Sequence, residues 1–200
     1  MQALPGPGVL AVITDFADQA VMLPLAAVTG LALWLAGWRR GALAWYLAVP
    51  ATLAVVGLAK LGVFLFGAPG ALPDLRSPSG HTAAAALVFG GLAALLGARR
   101  KRGLVALGLA LAFAVLIGLT RLGLHVHTVD DVVVGAGIGV LGAMLLAALA
   151  GVRPEALRPR LPLGAALLVL VLFHGLRLPA EAWLHHVADA LTPPGELIWP

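Results

Sequence analysis

Residues 103–150 read GLVALGLALAFAVLIGLT, then RLGLHVHTVDD, then VVVGAGIGVLGAMLLAALA. Two apolar runs, Gly103–Thr120 and Val132–Ala150, flank a polar connection that carries Arg121, His125, His127, Asp130 and Asp131. A helix crosses the hydrocarbon of a bilayer with about 20 residues, and it satisfies its own backbone hydrogen bonds there. The stretch therefore reads as two membrane helices joined by a polar turn.

The same pattern extends outward. Ala20–Trp38, Ala42–Phe66, His81–Ala98 and Leu161–Leu176 are also apolar runs, the last short and interrupted by His174. Of the 200 residues, 61% are hydrophobic and 11% charged, whereas about a quarter are charged in soluble domains. The predicted fold class is all-α: a polytopic membrane helical bundle of about six transmembrane helices. Its organisation is a lead-in at 1–19, a six-span domain at 20–177 and a tail at 178–200. Thr14, Asp15 and Asp18 before the first run suggest a short helix at the membrane boundary. In the tail, Trp183, Leu184, Val187 and Leu191 recur at helical spacing, as in an interfacial helix. The connection at Gly67–Ser79, with Pro69, Gly70, Pro73 and Pro78, is predicted not to be helical.

The net charge of +4 resembles a nucleic-acid signal until the basic residues are placed. Arg39 and Arg40, Arg99 to Arg102, and Arg153, Arg158 and Arg160 all fall in alternate connections. That is the positive-inside pattern of a membrane protein. It puts both termini and the other two connections on the non-cytoplasmic side, and no nucleic-acid partner is expected. Pro5, Gly6, Pro7 and Gly8 interrupt any signal-peptide core near the start. The absence of cysteine excludes disulfides and thiolate metal sites. Ala-, Leu- and Arg-rich usage suggests a bacterial inner membrane, with the site facing the periplasm or cell exterior.

The polar connections carry the chemistry. His127 and Asp131 are four residues apart, a spacing that lets Asp131 reach His127 if the helix starts early enough. A carboxylate that takes the proton of one imidazole nitrogen leaves the other as a free lone pair, a good phosphorus nucleophile. Arg121 offers a planar fork for phosphate oxygens. Thr128-Val129-Asp130-Asp131 ahead of an apolar run also matches a helix capping box, which would explain Asp131 without catalysis. In Pro78-Ser79-Gly80-His81, proline suits a first helical turn and the amides after it form a phosphate-binding helix N-terminus. Ser79 could add a hydroxyl, Gly80 permits close approach, and His81 could protonate a leaving group. The plain alternative is a loop-to-helix junction. Lys60, inside an apolar run, is a functional candidate or a snorkelling lysine.

Together these residues resemble the type 2 phosphatidic acid phosphatase family, which includes the vanadium haloperoxidases. The family pattern is KxxxxxxRP, then PSGH, then SRxxxxxHxxxD. The second part is complete at Pro78–His81. The third reads Thr120-Arg121, His127 and Asp131, with threonine for serine. The resemblance implies His127 as nucleophile, Asp131 as its orienting group and His81 as general acid. Lys60, Ser79, Gly80 and Arg121 would bind phosphate. The first part departs: seven residues after Lys60 stands Gly67, and the proline is Pro69. Arg76 is the candidate replacement for the missing arginine. The expected activity is metal-independent hydrolysis of a lipid phosphate (phosphatidic acid, phosphatidylglycerol phosphate or a polyprenyl diphosphate) through a phosphohistidine, without a cofactor. A silent lipid-phosphate-binding or transport protein and a vanadate-dependent haloperoxidase are the alternatives. Gly137-Ile-Gly139-Val-Leu-Gly142 is a literal GxGxxG inside an apolar run, so Gly135 and Gly139 read as close helix contacts rather than a nucleotide loop. His125 and His127, two apart, have no third metal ligand of suitable type nearby except Asp130 and Asp131, so metal binding is not expected. His174, His185 and His186 read as structural or solvated.

Overall fold

The computed structural model describes residues 8–97 and 101–192; Arg99 and Arg100 and the Pro5–Pro7 interruption lie outside them. The helices are α1 (Val9–Asp15), α2 (Gln19–Leu35), α3 (Arg39–Phe66), α4 (Gly80–Leu96), α5 (Arg102–Gly123), α6 (Val129–Leu149), α7 (Arg160–Phe173) and α8 (Ala180–Leu191). Among the described residues there is no strand, and each of the six apolar runs is a helix. Four segments are long and apolar enough to cross a membrane: Val9–Leu35 (α1 and α2 together), α3, α5 and α6. The other two, α4 and α7, are apolar but shorter. Local chemistry sets those limits. Ser79 caps the start of α4 and Gly97 leaves it in an extended conformation, while Gly175, with φ of 86°, turns the chain just past α7.

Short α4 is the centre of the bundle. Ala83 to Val88 are fully buried, and α4 packs on α5, α6, α3 and α2. Membrane helices gain little from the hydrophobic effect against one another, so close backbone approach through small residues has to hold them. A Cβ on Gly90 would stand 2.6 Å from Ala110 Cα, and one on Gly139 would stand 2.8 Å from Ala83 Cα. Gly139 and Gly135, which faces the Ser79 backbone, are therefore α4–α6 contact points, as their spacing suggested. On the outside, Leu58, Leu104, Leu119 and Leu141 are exposed, an apolar surface of the kind that lipid covers. Trp45 Nε1 donates to the Ala26 carbonyl at 2.8 Å and locks α3 to α2.

The two ends of the bundle differ. At one end arginines satisfy carbonyls at or just past helix C-termini: Arg40 donates to Leu149, Arg153 to Leu96, and Arg102 to Gly151 just beyond α6. Such carbonyls have no partner inside their own helix. All three arginines come from the connections that the charge pattern assigned to one side. At the other end lie the end of α3, the starts of α4 and α6, and the end of α5.

The sequence reading needs one correction there. The connection at 121–131 is not all loop: α5 runs on to Gly123 and α6 begins at Val129. Arg121 thus stands in the last turn of α5 and Asp131 in the first turn of α6, which Thr128 caps, while His127 lies just ahead of that cap rather than on the helix.

The glycine contacts give a direct test on α6. Gly139→Val should lower the unfolding temperature in detergent, with overpacking costing about 1–3 kcal/mol. Gly137→Val should not, because nothing lies within 4 Å of a Cβ there.

Candidate active site

The site is built around the Asp131 carboxylate, which is 2% exposed. Its Oδ1 accepts from the backbone amides of Arg76 at 2.9 Å and Ser77 at 2.7 Å. Its Oδ2 accepts from the Thr128 amide at 3.0 Å and faces His127 Nδ1 at 3.1 Å. Thr128 Oγ1 in turn accepts from the Asp131 amide at 3.2 Å. The capping box and the histidine partnership, alternatives in the sequence, are therefore one structure. Thr128 also donates to the Asp74 carbonyl at 2.8 Å, and the Ser79 amide donates to the Asp131 carbonyl at 2.8 Å. The irregular 67–79 segment is stitched to the start of α6 by these bonds.

An ionised carboxylate only accepts, so Nδ1 of His127 carries the proton and Nε2 keeps its lone pair. Burial pushes the His127 imidazole below the ordinary histidine range, and the charges of Lys60 and Arg121 act the same way; the Asp131 hydrogen bond only partly opposes them. At neutral pH the ring is uncharged.

The start of α4 is arranged differently from expectation in its details. Ser79 is fully buried, and its hydroxyl accepts from the Thr82 amide at 3.4 Å, the α4 N-cap bond, and from Thr82 Oγ1 at 2.9 Å. Its amide is taken by the Asp131 carbonyl. A Cβ on Gly80 would meet Lys60 Cε at an ordinary 3.8 Å, so protein packing does not demand glycine there. His81 Nε2 lies 3.5 Å from Asp18 Oδ2. Asp18 caps α2 through the Ala20 amide at 2.8 Å and accepts from the Leu178 amide at 3.0 Å.

Lys60 is 5% exposed, so it does not snorkel. Its Nζ donates to Ser77 Oγ and to Glu181 Oε2 at 2.8 Å. Ser77 also donates to Glu181 Oε1. Arg121 Nη1 reaches Thr14 Oγ1 at 3.3 Å, and its buried Nε has no partner among the described residues. Arg76 is exposed and contributes its backbone to Asp131.

Two cavities meet these groups. One, of about 320 Å³, is lined by Arg76, Ser77, His127, Asp131 and Glu181, with His125 and His185 at its wall. The other, of about 480 Å³, is lined by Lys60, Gly80, His81 and Arg121 at a polar end and by Leu23, Leu53, Val56, Trp183, Leu184 and Val187. Glu181 lines both.

Sequence reasoning did not single out Ser77, Glu181 or the role of Asp18. His185, set aside as structural or solvated, lines the smaller cavity and stacks on Phe64 with ring centroids 4.2 Å apart. The available signals were faint: an acid in the first turn of an amphipathic tail helix, and an acid just ahead of the first span.

This constellation, one histidine oriented by a carboxylate and another at a glycine-serine helix start on an all-α bundle, belongs to a known superfamily. The PAP2 superfamily pattern matches residues 60–154, and the chain is a member of that superfamily. Members generally hydrolyse phosphate esters, and membership suggests phosphatase activity here. The chain is also 30% identical over 189 residues, covering 90% of each chain, to a protein of Klebsiella pneumoniae described as an uncharacterized 22.5 kDa protein in the cps region. No solved structure matches.

The carboxylate predicts its own mutant. Asp131→Asn would turn an amide donor toward either the His127 ring or the backbone amides. Thermal unfolding should come at lower temperature, and kcat should fall on the order of 10³–10⁴-fold, as when a catalytic histidine loses its orienting carboxylate. Retention of both properties would show that the carboxylate charge is dispensable.

Proposed function

We propose that the protein is an integral membrane phosphatase that hydrolyses lipid phosphates through a phosphohistidine. The observation that carries the reading is the buried His127–Asp131 pair at 3.1 Å, on an imidazole that burial and the charges of Lys60 and Arg121 favour in its neutral form. Nε2 of His127 attacks phosphorus and forms a P–N bond while the P–O bond to the lipid breaks. His81 gives a proton to the leaving oxygen. Water then attacks phosphorus, the P–N bond breaks, and His81 takes a proton back as inorganic phosphate leaves. Arg121 and Lys60, with Arg76 from the 67–79 segment, neutralise the phosphate oxygens. The amides at the start of α4 join them. Ser79 holds that helix start, and Gly80 leaves room at it for phosphate.

The apolar wall of the larger cavity supports a lipid substrate whose chain lies beside Leu23, Leu53 and Trp183. Phosphatidic acid, phosphatidylglycerol phosphate and polyprenyl diphosphates share that chemistry. We place the protein in a bacterial inner membrane with six spans. The arginine-capped end and its connections then face the cytoplasm, and both termini and the site face outward. The scheme needs no metal or cofactor.

A second reading, a silent lipid-phosphate-binding protein, is favoured by Gly67 in place of the family arginine and by the engagement of Lys60 with Glu181. Phosphate release from the three lipid classes by protein in detergent, with chelator present and His127→Ala as control, separates the two. Chelator-resistant release that the variant abolishes is the expected result. Binding without release by folded protein would install the second reading.

The pH profile follows from the neutral nucleophile. Protonation of His127 removes the lone pair, and its titration is shifted downward. The acid limb of kcat/KM should therefore lie below the ordinary imidazole value of 6.5, with activity kept as the pH falls toward that value.

A further inference from the structure

Glu181 has no part in the scheme above, yet both of its carboxylate oxygens are engaged. Its carboxylate takes a salt bridge from Lys60 at 2.8 Å and a hydrogen bond from Ser77. It is the residue common to the linings of both cavities. Two oxygens on a planar centre, held by a buried ammonium and a hydroxyl, are arranged as two oxygens of a phosphate would be.

We infer that Glu181 is a tethered competitor for the phosphate cradle: its carboxylate occupies the position of substrate oxygens on Lys60 and Ser77, and α8 must shift before phosphate can bind. The inference rests on Lys60 being a phosphate ligand, as in the proposed function.

The attachment of α8 suits such a shift. Gly175, with φ of 86°, and Pro179 bound the segment ahead of it. That segment is anchored apart from α8, by Arg177 to Asp15 at 2.9 Å and by the Leu178 amide to Asp18 at 3.0 Å. Beyond the anchor, α8 packs chiefly on α3, and Ala188 is its one buried residue. Trp183, Val187 and Leu191 are exposed. The Glu181 side chain is itself 45% exposed. Burial disfavours its charge, yet Lys60 and the two hydrogen bonds hold its carboxyl below the ordinary range, so the competitor is anionic at neutral pH. A phosphate entering the cradle meets a negative charge already seated there.

The test is binding of inorganic phosphate to the full chain in detergent, measured by titration calorimetry on wild type, Glu181→Gln and Glu181→Ala. Asp189→Asn, which removes one charge from an exposed position of the same helix, is the control. Both Glu181 variants should bind phosphate about tenfold more tightly, and the control should match wild type. Unchanged or weaker binding in both variants overturns the inference, as does an equal gain in the control. Phosphate release from lipid, assayed beside it, keeps the two readings apart. Tighter phosphate binding without hydrolysis would retain the competitor and discard the phosphatase. Hydrolysis abolished by His127→Ala, with unchanged phosphate affinity in the Glu181 variants, would do the reverse.

Discussion

The site depends on one buried carboxylate whose acceptor capacity is filled. Asp131 receives two amides on one oxygen and an amide and an imidazole on the other. Charge-assisted hydrogen bonds of this kind are each worth about 1.5–3 kcal/mol, and an unpaired buried charge would be far more costly. The group that orients the histidine is thus the group that folds the surrounding backbone. The 67–79 segment, rich in proline and glycine, has no helix of its own. It is held because its Arg76 and Ser77 amides end on Asp131. The same bonds bring Ser77 to Lys60 and set the start of α4 against α6.

The bundle behind that site is organised by size rather than by polarity. Central α4 presents Ala83 to Ala86 and Gly90 to its neighbours, and Leu87, Val88 and Leu95 fill the space left between the helices. The six apolar runs were legible because span length and lack of charge are properties of consecutive residues. Helix ends were less legible. Thr128 caps α6 ahead of the apolar run, and α5 runs past its own apolar run to Gly123. Neither shift leaves a hydropathy signal.

Within the site, legibility followed sequence distance. His127, Asp131, Arg121 and the Pro78–His81 turn were visible because their spacing is local and their chemistry is joint. The choice between cap and histidine partner at Asp131 was set up as an alternative, but a single oxygen, Oδ2, takes both the Thr128 amide and the His127 ring. Ser77 and Glu181 were invisible for the opposite reason. Their meeting at Lys60 joins α3, the 67–79 segment and α8, and no local pattern marks a contact across so much chain. Gly67, where the family has arginine, was visible as a departure. Its consequence for Lys60 emerged only when a carboxylate from the tail was found beside that lysine.

The arginines at the far end of the bundle carry a consequence for biogenesis. Positive charge in alternate connections biases how a chain threads as it is inserted. Here Arg40, Arg102 and Arg153 also close the carbonyl ends of the helices once the bundle forms. The arginines of the alternating charge pattern are thus also the arginines of the clasp. A chain inserted upside down would still own the arginines but would have to assemble those clasps on the opposite side of the bilayer. Quality control could therefore read topology and folding as one event.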